Sequence, residues 1–153
     1  MAANQPQWPR EWLMTDERIG DRLWEAIGAL PPGAGVVFRH YGLGEKERLA
    51  LGQRISEATN RRGLQLAVAG SRRLAEQLSA ALVHNPQGPG SLPASMAVHD
   101  ERQAYAARNA GAVLVFVAPI FPTQSHPGAP ALGPDEAADL ARLASCPAIA
   151  LGG

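Results

Sequence analysis

The sequence has few of the features that mark disulfide-rich, membrane or nucleic-acid-binding proteins. It contains one cysteine, Cys146, which excludes an internal disulfide and a cysteine-based metal cluster. Lys and Arg together number 14, as do Asp and Glu, so the formal net charge is zero. We therefore expect neither nucleic acid nor an anionic membrane as a partner. The longest apolar run, Ala110–Phe121, is well short of the ~20 residues that cross a bilayer.

The composition predicts a globular protein. Hydrophobic residues make up 46% of the chain and charged residues 18%, which is enough to fill a core. A length of 153 residues predicts one domain, spanning residues 1–153. The N-terminal residues Met1–Gln5 lack the charged and apolar regions of a signal peptide, so we expect a cytoplasmic location.

Seven short apolar runs bounded by turn residues predict β-strands. Their near-continuous hydrophobicity favours a parallel sheet that is buried on both faces. The predicted strands are Trp12–Thr15, Gly35–His40, Leu64–Val68, Ala81–His84, Ser95–His99, Ala112–Ala118 and Ala148–Leu151.

Helical patterns lie in most of the gaps between these strands. Ser71 and Asp100 are predicted N-caps, and Pro134 is predicted to lie in the first turn of a helix. Alternating strands and helices indicate an α/β fold, either a doubly wound sheet or a (β/α)8 barrel. The chain stops at Gly152-Gly153 directly after a strand, so we expect a final βα unit to be missing.

Chemically active side chains follow the predicted strands at their carboxyl ends. All four histidines, His40, His84, His99 and His126, lie at or just beyond such an end, as does Arg39. Ligands of parallel α/β folds bind at this edge, where the βα loops converge. We therefore expect these groups to surround one anion-binding mouth.

The proline-rich segment Ala118–Gly128 is predicted to be a stiff loop that leaves the sixth strand. Its Thr123, Ser125 and His126 side chains could bind a phosphate. Gly152 and Gly153 could let backbone N–H groups approach the same kind of anion. Neither an HxH nor an HExxH spacing is present, so no metal site is predicted.

The segment Val115–Gly128 resembles the sixth-strand signature of the thiamine phosphate synthase and TenI (thiazole tautomerase) family. The resemblance continues in one order along nearly the whole chain. Matching segments are Trp12–Asp16 with the family's Y-x-V-T-D, Val37–Arg39 with Q-L-R, Leu82–Gln87 with G-V-H-L-G-Q, Ala97–His99 and Glu101 with S-x-H-x-x-E, and Pro147–Gly153 with P-V-x-A-I-G-G.

The resemblance implies a (β/α)8 TIM barrel that lacks its eighth βα unit. It also implies a synthase that couples an aminopyrimidine diphosphate to a thiazole phosphate and releases diphosphate with Mg²⁺ assistance. The expected partners are these small phosphorylated molecules or thiamine phosphate, and a homo-oligomer is possible. The expected catalytic residues are His84, His99 and His126. The expected phosphate- and substrate-binding residues are Arg39, Tyr41, Arg72, Thr123, Ser125, Gly152 and Gly153.

Several positions depart from the synthase pattern. Gly70-Ser71 and Gly88-Pro89 stand where synthases carry magnesium carboxylates, so the Mg²⁺ ligands are lost. Tyr41 and His126 replace lysines, and Ala97 replaces a serine. The TenI histidine aligns with Pro119. Three alternatives therefore stay open. They are a TenI-like tautomerase, a non-catalytic binder of thiazole phosphate or thiamine phosphate, and another isomerisation or hydrolysis on the same barrel.

Overall fold

A computed structural model of the chain describes residues 7–124, 127–128 and 130–152. The chain divides into two compact units, Met1–Leu66 and Ala67–Gly153. The described strands are β1 (Trp12–Thr15), β2 (Gly35–Phe38), β3 (Gln65–Ala69), β4 (Leu82–His84), β5 (Ala94–Val98), β6 (Leu114–Val117) and β7 (Ala148–Ala150). The described α-helices are α1 (Leu23–Ala29), α2 (Glu45–Arg62), α3 (Arg72–Gln77), α4 (Glu101–Asn109) and α5 (Gly133–Ala144). None of the described helices could cross a bilayer.

The first unit places β1 and β2 side by side. The two strands run parallel, with Trp12 opposite Gly35. The Trp12 ring lies so close to Gly35 that an added Cβ would come within 2.2 Å of it, so this position requires glycine. The backbone N–H of Gln65, at the start of β3, donates to the carbonyl of Ala34 at 2.9 Å. A 3₁₀ segment, Glu17–Arg22, follows β1 directly and was not predicted.

The second unit contains the end of β3 and the parallel strands β4 to β7, each paired with the next in chain order. Helices α4 and α5 pack on β5 and β6 around buried Val98, Val115, Val117 and Leu140. Cys146 is half-buried against this core, and burial raises the pKa of its thiol. The cysteine therefore has the surroundings of a packing residue.

The strand order shows which of the two predicted α/β topologies is present. The order runs from β1 to β7 without reversal, whereas a doubly wound sheet reverses its order at a switch point. Parallel strands that pair in chain order are typical of the β/α-barrel topology. Successive strands are joined through helices except β4 and β5, which the segment 85–93 connects without a described helix.

The predicted helix starts are confirmed. The Ser71 hydroxyl accepts a hydrogen bond from the Leu74 backbone N–H at 3.1 Å. The Asp100 carboxylate accepts one from the Gln103 N–H at 2.7 Å, and Pro134 lies in the first turn of α5. Each cap satisfies a backbone donor that the helix itself leaves unpaired.

Candidate functional site

In the first unit, Thr15 connects the carboxyl ends of β1 and β2. Its buried hydroxyl lies 3.1 Å from Nδ1 of His40 and accepts a hydrogen bond from the Arg39 backbone N–H at 3.3 Å. The Arg39 side chain donates from Nε to the Thr15 carbonyl at 3.0 Å. Thr15 therefore positions both side chains that follow β2.

Asp16 is the carboxylate of this site. Its Oδ2 accepts hydrogen bonds from Nη2 of Arg39 at 2.9 Å and from Nη2 of Arg18 at 2.6 Å. The side-chain hydrogen bond from Arg18 is the main reason that the pKa of Asp16 is lowered from its usual range. The Arg39 side chain is 31% exposed, so its guanidinium remains accessible from solvent beside this carboxylate.

His40 is buried at the end of β2 and has φ +34°, the left-handed region that few residues other than glycine adopt. Burial lowers the pKa of its imidazole, while Glu17 and Asp16 oppose that shift. The pKa of Glu17 is lowered by a hydrogen bond from its own backbone N–H and by a second one that its carboxylate accepts from the Gly42 backbone N–H. The loop after β2 is thus fastened to the segment after β1.

Tyr41, a predicted binding residue, is 59% exposed and shares the Arg48 guanidinium with Phe38. The Arg48 Cζ atom lies 5.3 Å from the Phe38 ring centroid and 5.4 Å from that of Tyr41. Arg48 also donates from Nη2 to the Arg39 carbonyl at 2.7 Å. The Tyr41 ring is therefore held at the surface of the first unit by a cation–π contact.

In the second unit, His84 ends β4 and is buried together with Ser95 of β5. Its Nδ1 lies 3.1 Å from the Ser95 hydroxyl, and its Nε2 lies 3.3 Å from Nδ2 of Asn85. The Phe116 ring of β6 meets the imidazole edge to face at 5.2 Å between centroids. His84 is therefore enclosed by side chains of this unit on several sides.

The carboxyl ends of β5, β6 and β7 meet around His99. Its Nδ1 lies 2.6 Å from the Ala118 carbonyl, which follows β6. The Ile120 N–H donates to the Leu151 carbonyl at 2.9 Å. Gly152 has φ +111°, and an added Cβ would lie 3.2 Å from the Pro119 Cα atom, so the close approach of these two loops requires glycine. The peptide bond between Ala118 and Pro119 is cis.

A hollow of about 310 Å³ opens beside His99. Its lining carries no charged carboxylate or guanidinium group and consists of Asn85, Met96, Ala97, His99, Gln103 and Ala106. The Gln103 Oε1 atom accepts from the His99 backbone N–H at 2.8 Å. This lining suits an uncharged polar group rather than a phosphate.

The structure describes only part of the remaining predicted binding residues of the second unit. Arg72 donates from Nε to the Gly88 carbonyl at 2.8 Å and from Nη1 to the Leu92 carbonyl at 3.2 Å. Thr123 is half-buried in the loop after β6. Ser125, His126 and Gly153 lie outside the described residues. Phosphate binding by this set therefore stays a prediction.

The residues that the structure describes do not form a site suited to Mg²⁺. Among them, no group of three or more His, Cys, Asp or Glu side chains is arranged to hold a metal ion. The Asp16 carboxylate is engaged by two guanidinium groups, and Gly70-Ser71 and Gly88-Pro89 supply no carboxylate. We therefore derive no step that passes through a metal.

Comparison with known proteins connects this geometry to a family. The family model described as thiamine monophosphate synthase (TMP-TENI) matches residues 13–153. The chain belongs to this family. A solved thiamine phosphate pyrophosphorylase from Pyrococcus furiosus is similar in structure, with a TM-score of 0.76 and 17% sequence identity over 94% of this chain and 75% of that one. This likeness shows that the chain has the same fold. Curated protein sequences gave no match.

Two residues of the second unit were not predicted as site residues. Asn85 contacts His84 and β5, and Gln103 contacts the His99 backbone. Asn85 had a usable sequence signal, because an asparagine that directly follows a strand is a residue type that tolerates the left-handed backbone found there. Gln103, three residues after the predicted N-cap Asp100, matches the spacing of a capping box.

Proposed function

We propose that this protein acts in thiamine biosynthesis and joins an aminopyrimidine diphosphate to a thiazole phosphate. In that reaction the thiazole nitrogen forms a bond to the methylene carbon of the pyrimidine. The bond from that carbon to the diphosphate oxygen breaks, and diphosphate leaves with the electron pair. The family match over residues 13–153 is the observation that supports this proposal.

Arg39 is the residue best suited to hold the departing diphosphate in the first unit. It follows β2 at the carboxyl end, its guanidinium is accessible, and its Nε and Nη2 are oriented by Thr15 and Asp16. A guanidinium held in one orientation loses little entropy when it binds an anion. A charge-assisted contact of this kind contributes about 1.5–3 kcal/mol.

His99 is the residue best suited to handle a proton in the second unit. A carbonyl oxygen only accepts hydrogen bonds, so the short contact with Ala118 places a proton on Nδ1 of His99. In the neutral imidazole, Nε2 is then the proton acceptor. It can take a proton from the amino group of the pyrimidine as diphosphate leaves, and it can return that proton once the thiazole nitrogen has formed its bond to the methylene carbon. The uncharged hollow beside His99 would take the ring of a substrate rather than its phosphate.

A second candidate function is binding of thiazole phosphate or thiamine phosphate without the coupling reaction. The glycine, serine and proline residues at 70–71 and 88–89, where synthases carry carboxylates, favour this alternative. A TenI-like tautomerase is less favoured than the binder, because Pro119 stands where such enzymes carry a histidine.

The coupling assay separates these two candidates. The protein is incubated with both substrates, with and without Mg²⁺, and diphosphate release and thiamine phosphate formation are measured. Stoichiometric release of both products supports the synthase. Tight binding of thiamine phosphate in calorimetry, without diphosphate release under either condition, supports the binder and contradicts the synthase.

The Arg39→Ala variant tests the anion contact under either function. We expect thiamine phosphate to bind more weakly by about 1.5–3 kcal/mol, roughly 10- to 150-fold. Arg54→Ala is the matched control, since Arg54 is an exposed arginine of α2 that contacts the Trp24 ring. An unchanged affinity in Arg39→Ala would show that Arg39 has only a structural role.

A further inference from the structure

Asn85 makes two hydrogen bonds at the point where β4 ends. Its backbone has φ +45°, in the left-handed region that asparagine tolerates. The side-chain Oδ1 accepts a hydrogen bond from the Ala97 backbone N–H at 2.8 Å. The side-chain Nδ2 lies 3.3 Å from Nε2 of His84.

These contacts determine where the proton of His84 lies. A backbone N–H is always a donor, so the Asn85 atom that faces Ala97 must be the oxygen. The atom that faces His84 is then the amide nitrogen, which only donates. Nε2 of His84 must therefore accept, and the proton of the neutral ring lies on Nδ1.

The remaining contacts of the ring agree with this assignment. Nδ1 faces the Ser95 hydroxyl at 3.1 Å, and a hydroxyl accepts as readily as it donates. Ser95 alone would thus accommodate either tautomer, whereas Asn85 accommodates one. Phe116, packed edge to face against the imidazole, helps to hold the ring plane.

We propose that Asn85 is a positioning residue that holds His84 in its Nδ1–H tautomer and connects the carboxyl end of β4 to β5. The last paired residues of β4 and β5 are His84 and Ser95, and the Asn85 side chain adds a hydrogen bond to β5 beyond that pair. Its Nδ2 also donates to the lone pair on Nε2 of His84. His84 and His99 then differ in role. In His84 both ring nitrogens have partners within the protein, whereas Nδ1 of His99 donates to a backbone carbonyl at the open hollow.

The test is nitrogen NMR on the whole chain labelled with ¹⁵N-histidine, recorded at mildly alkaline pH, with His84 assigned by its loss in His84→Gln. In the unmodified protein we expect a protonated, pyrrole-type Nδ1 and an unprotonated, pyridine-type Nε2. Asn85→Asp keeps an oxygen for Ala97 and places a carboxylate oxygen against Nε2. We expect Nε2 to gain a proton in this variant.

The signal of His99 is the internal control, because its Nδ1 bond to the Ala118 carbonyl does not involve Asn85. Ser95→Ala is the second variant and serves if Asn85→Asp does not fold. His84 should keep the proton on Nδ1 there, since Asn85 is intact. A pyrrole-type Nε2 in the unmodified protein or in Ser95→Ala, or an unprotonated Nε2 in Asn85→Asp, would overturn the proposal.

Discussion

Arg39 and Asp16 are joined by a contact of 2.9 Å between Nη2 and Oδ2, which links the end of β2 to the residue that follows β1. Arg18 shares the same carboxylate oxygen at 2.6 Å. Two guanidinium groups thus surround one carboxylate, and the trio carries a net charge of about +1 at neutral pH. The first unit therefore keeps a positive centre that is available to an anion.

Replacing Asp16 by Asn should make the free energy of unfolding depend less on pH in the acidic range. The folded pKa of Asp16 is lowered, so its carboxylate stabilises the fold above the unfolded pKa, and this contribution is lost as pH falls below about 4. Asn keeps an oxygen for the Arg18 backbone N–H, so we expect a loss of less than about 1 kcal/mol at neutral pH. Urea unfolding at several pH values measures both effects. Parallel curves for the two proteins would contradict the assignment.

Arg72 and Gly90 should be energetically coupled. A Cβ on Gly90 would lie 2.4 Å from Cδ of Arg72 and would displace the side chain from the carbonyls of Gly88 and Leu92. We expect Arg72→Ala and Gly90→Ala each to lower the free energy of unfolding by about 1–2 kcal/mol. The double variant should lose less than the sum by about 0.5 kcal/mol or more.

The double-mutant cycle is measured by urea unfolding of all four proteins. The exposed neighbour Arg73 provides the matched control, because Arg73→Ala should add to Gly90→Ala without coupling. Additive losses for Arg72 and Gly90 would show that Arg72 is not held by this loop. The Arg72 guanidinium would then be available for the predicted contact with phosphate.

The strands could be predicted because buried strands correspond to continuous apolar runs in the sequence. The residues Val36, Val37 and Phe38 of β2 and the four residues of β6 are buried as that pattern requires. The caps Ser71 and Asp100 were predictable because a cap depends on neighbours two or three positions away. Local chemistry of this kind needs no knowledge of the tertiary structure.

The pairing of side chains at the strand ends could not be predicted in the same way. His84 and His99 each end a strand predicted from the sequence, yet one faces Ser95 and Asn85 and the other faces a backbone carbonyl. The difference arises because β4 is followed by a turn with no described helix, whereas β5 is followed at once by α4. Arg72 likewise finds carbonyls in a loop 16 and 20 residues away. Such partners depend on loop paths that apolar periodicity does not encode.

His40 should give the protein a second pH dependence, in a different range from that of Asp16. Burial lowers the folded pKa of His40, so on acidification the unfolded chain binds a proton before the folded chain does. Neutral His40 therefore contributes to the free energy of unfolding above the unfolded pKa, and this contribution is lost as pH falls below about 6.5. Asn tolerates the left-handed backbone and offers Nδ2 to Thr15, so His40→Asn should reduce this slope. NMR titration of His40 checks the pKa directly, and a value raised above the ordinary range would contradict the expectation.

His99→Asn should separate the structural role of His99 from its chemical role, if the proposed coupling reaction holds. Asn places an amide N–H near the position of Nδ1, so it keeps the hydrogen bond to the Ala118 carbonyl while removing the Nε2 proton acceptor. We expect the free energy of unfolding to change by less than about 0.5 kcal/mol. Product formation should fall by roughly 10²- to 10⁴-fold, the usual contribution of general acid–base catalysis. His99→Ala serves as the control, because it loses both the bond and the ring and should be less stable. Wild-type turnover with an unchanged pH profile in His99→Asn would assign proton transfer to another group.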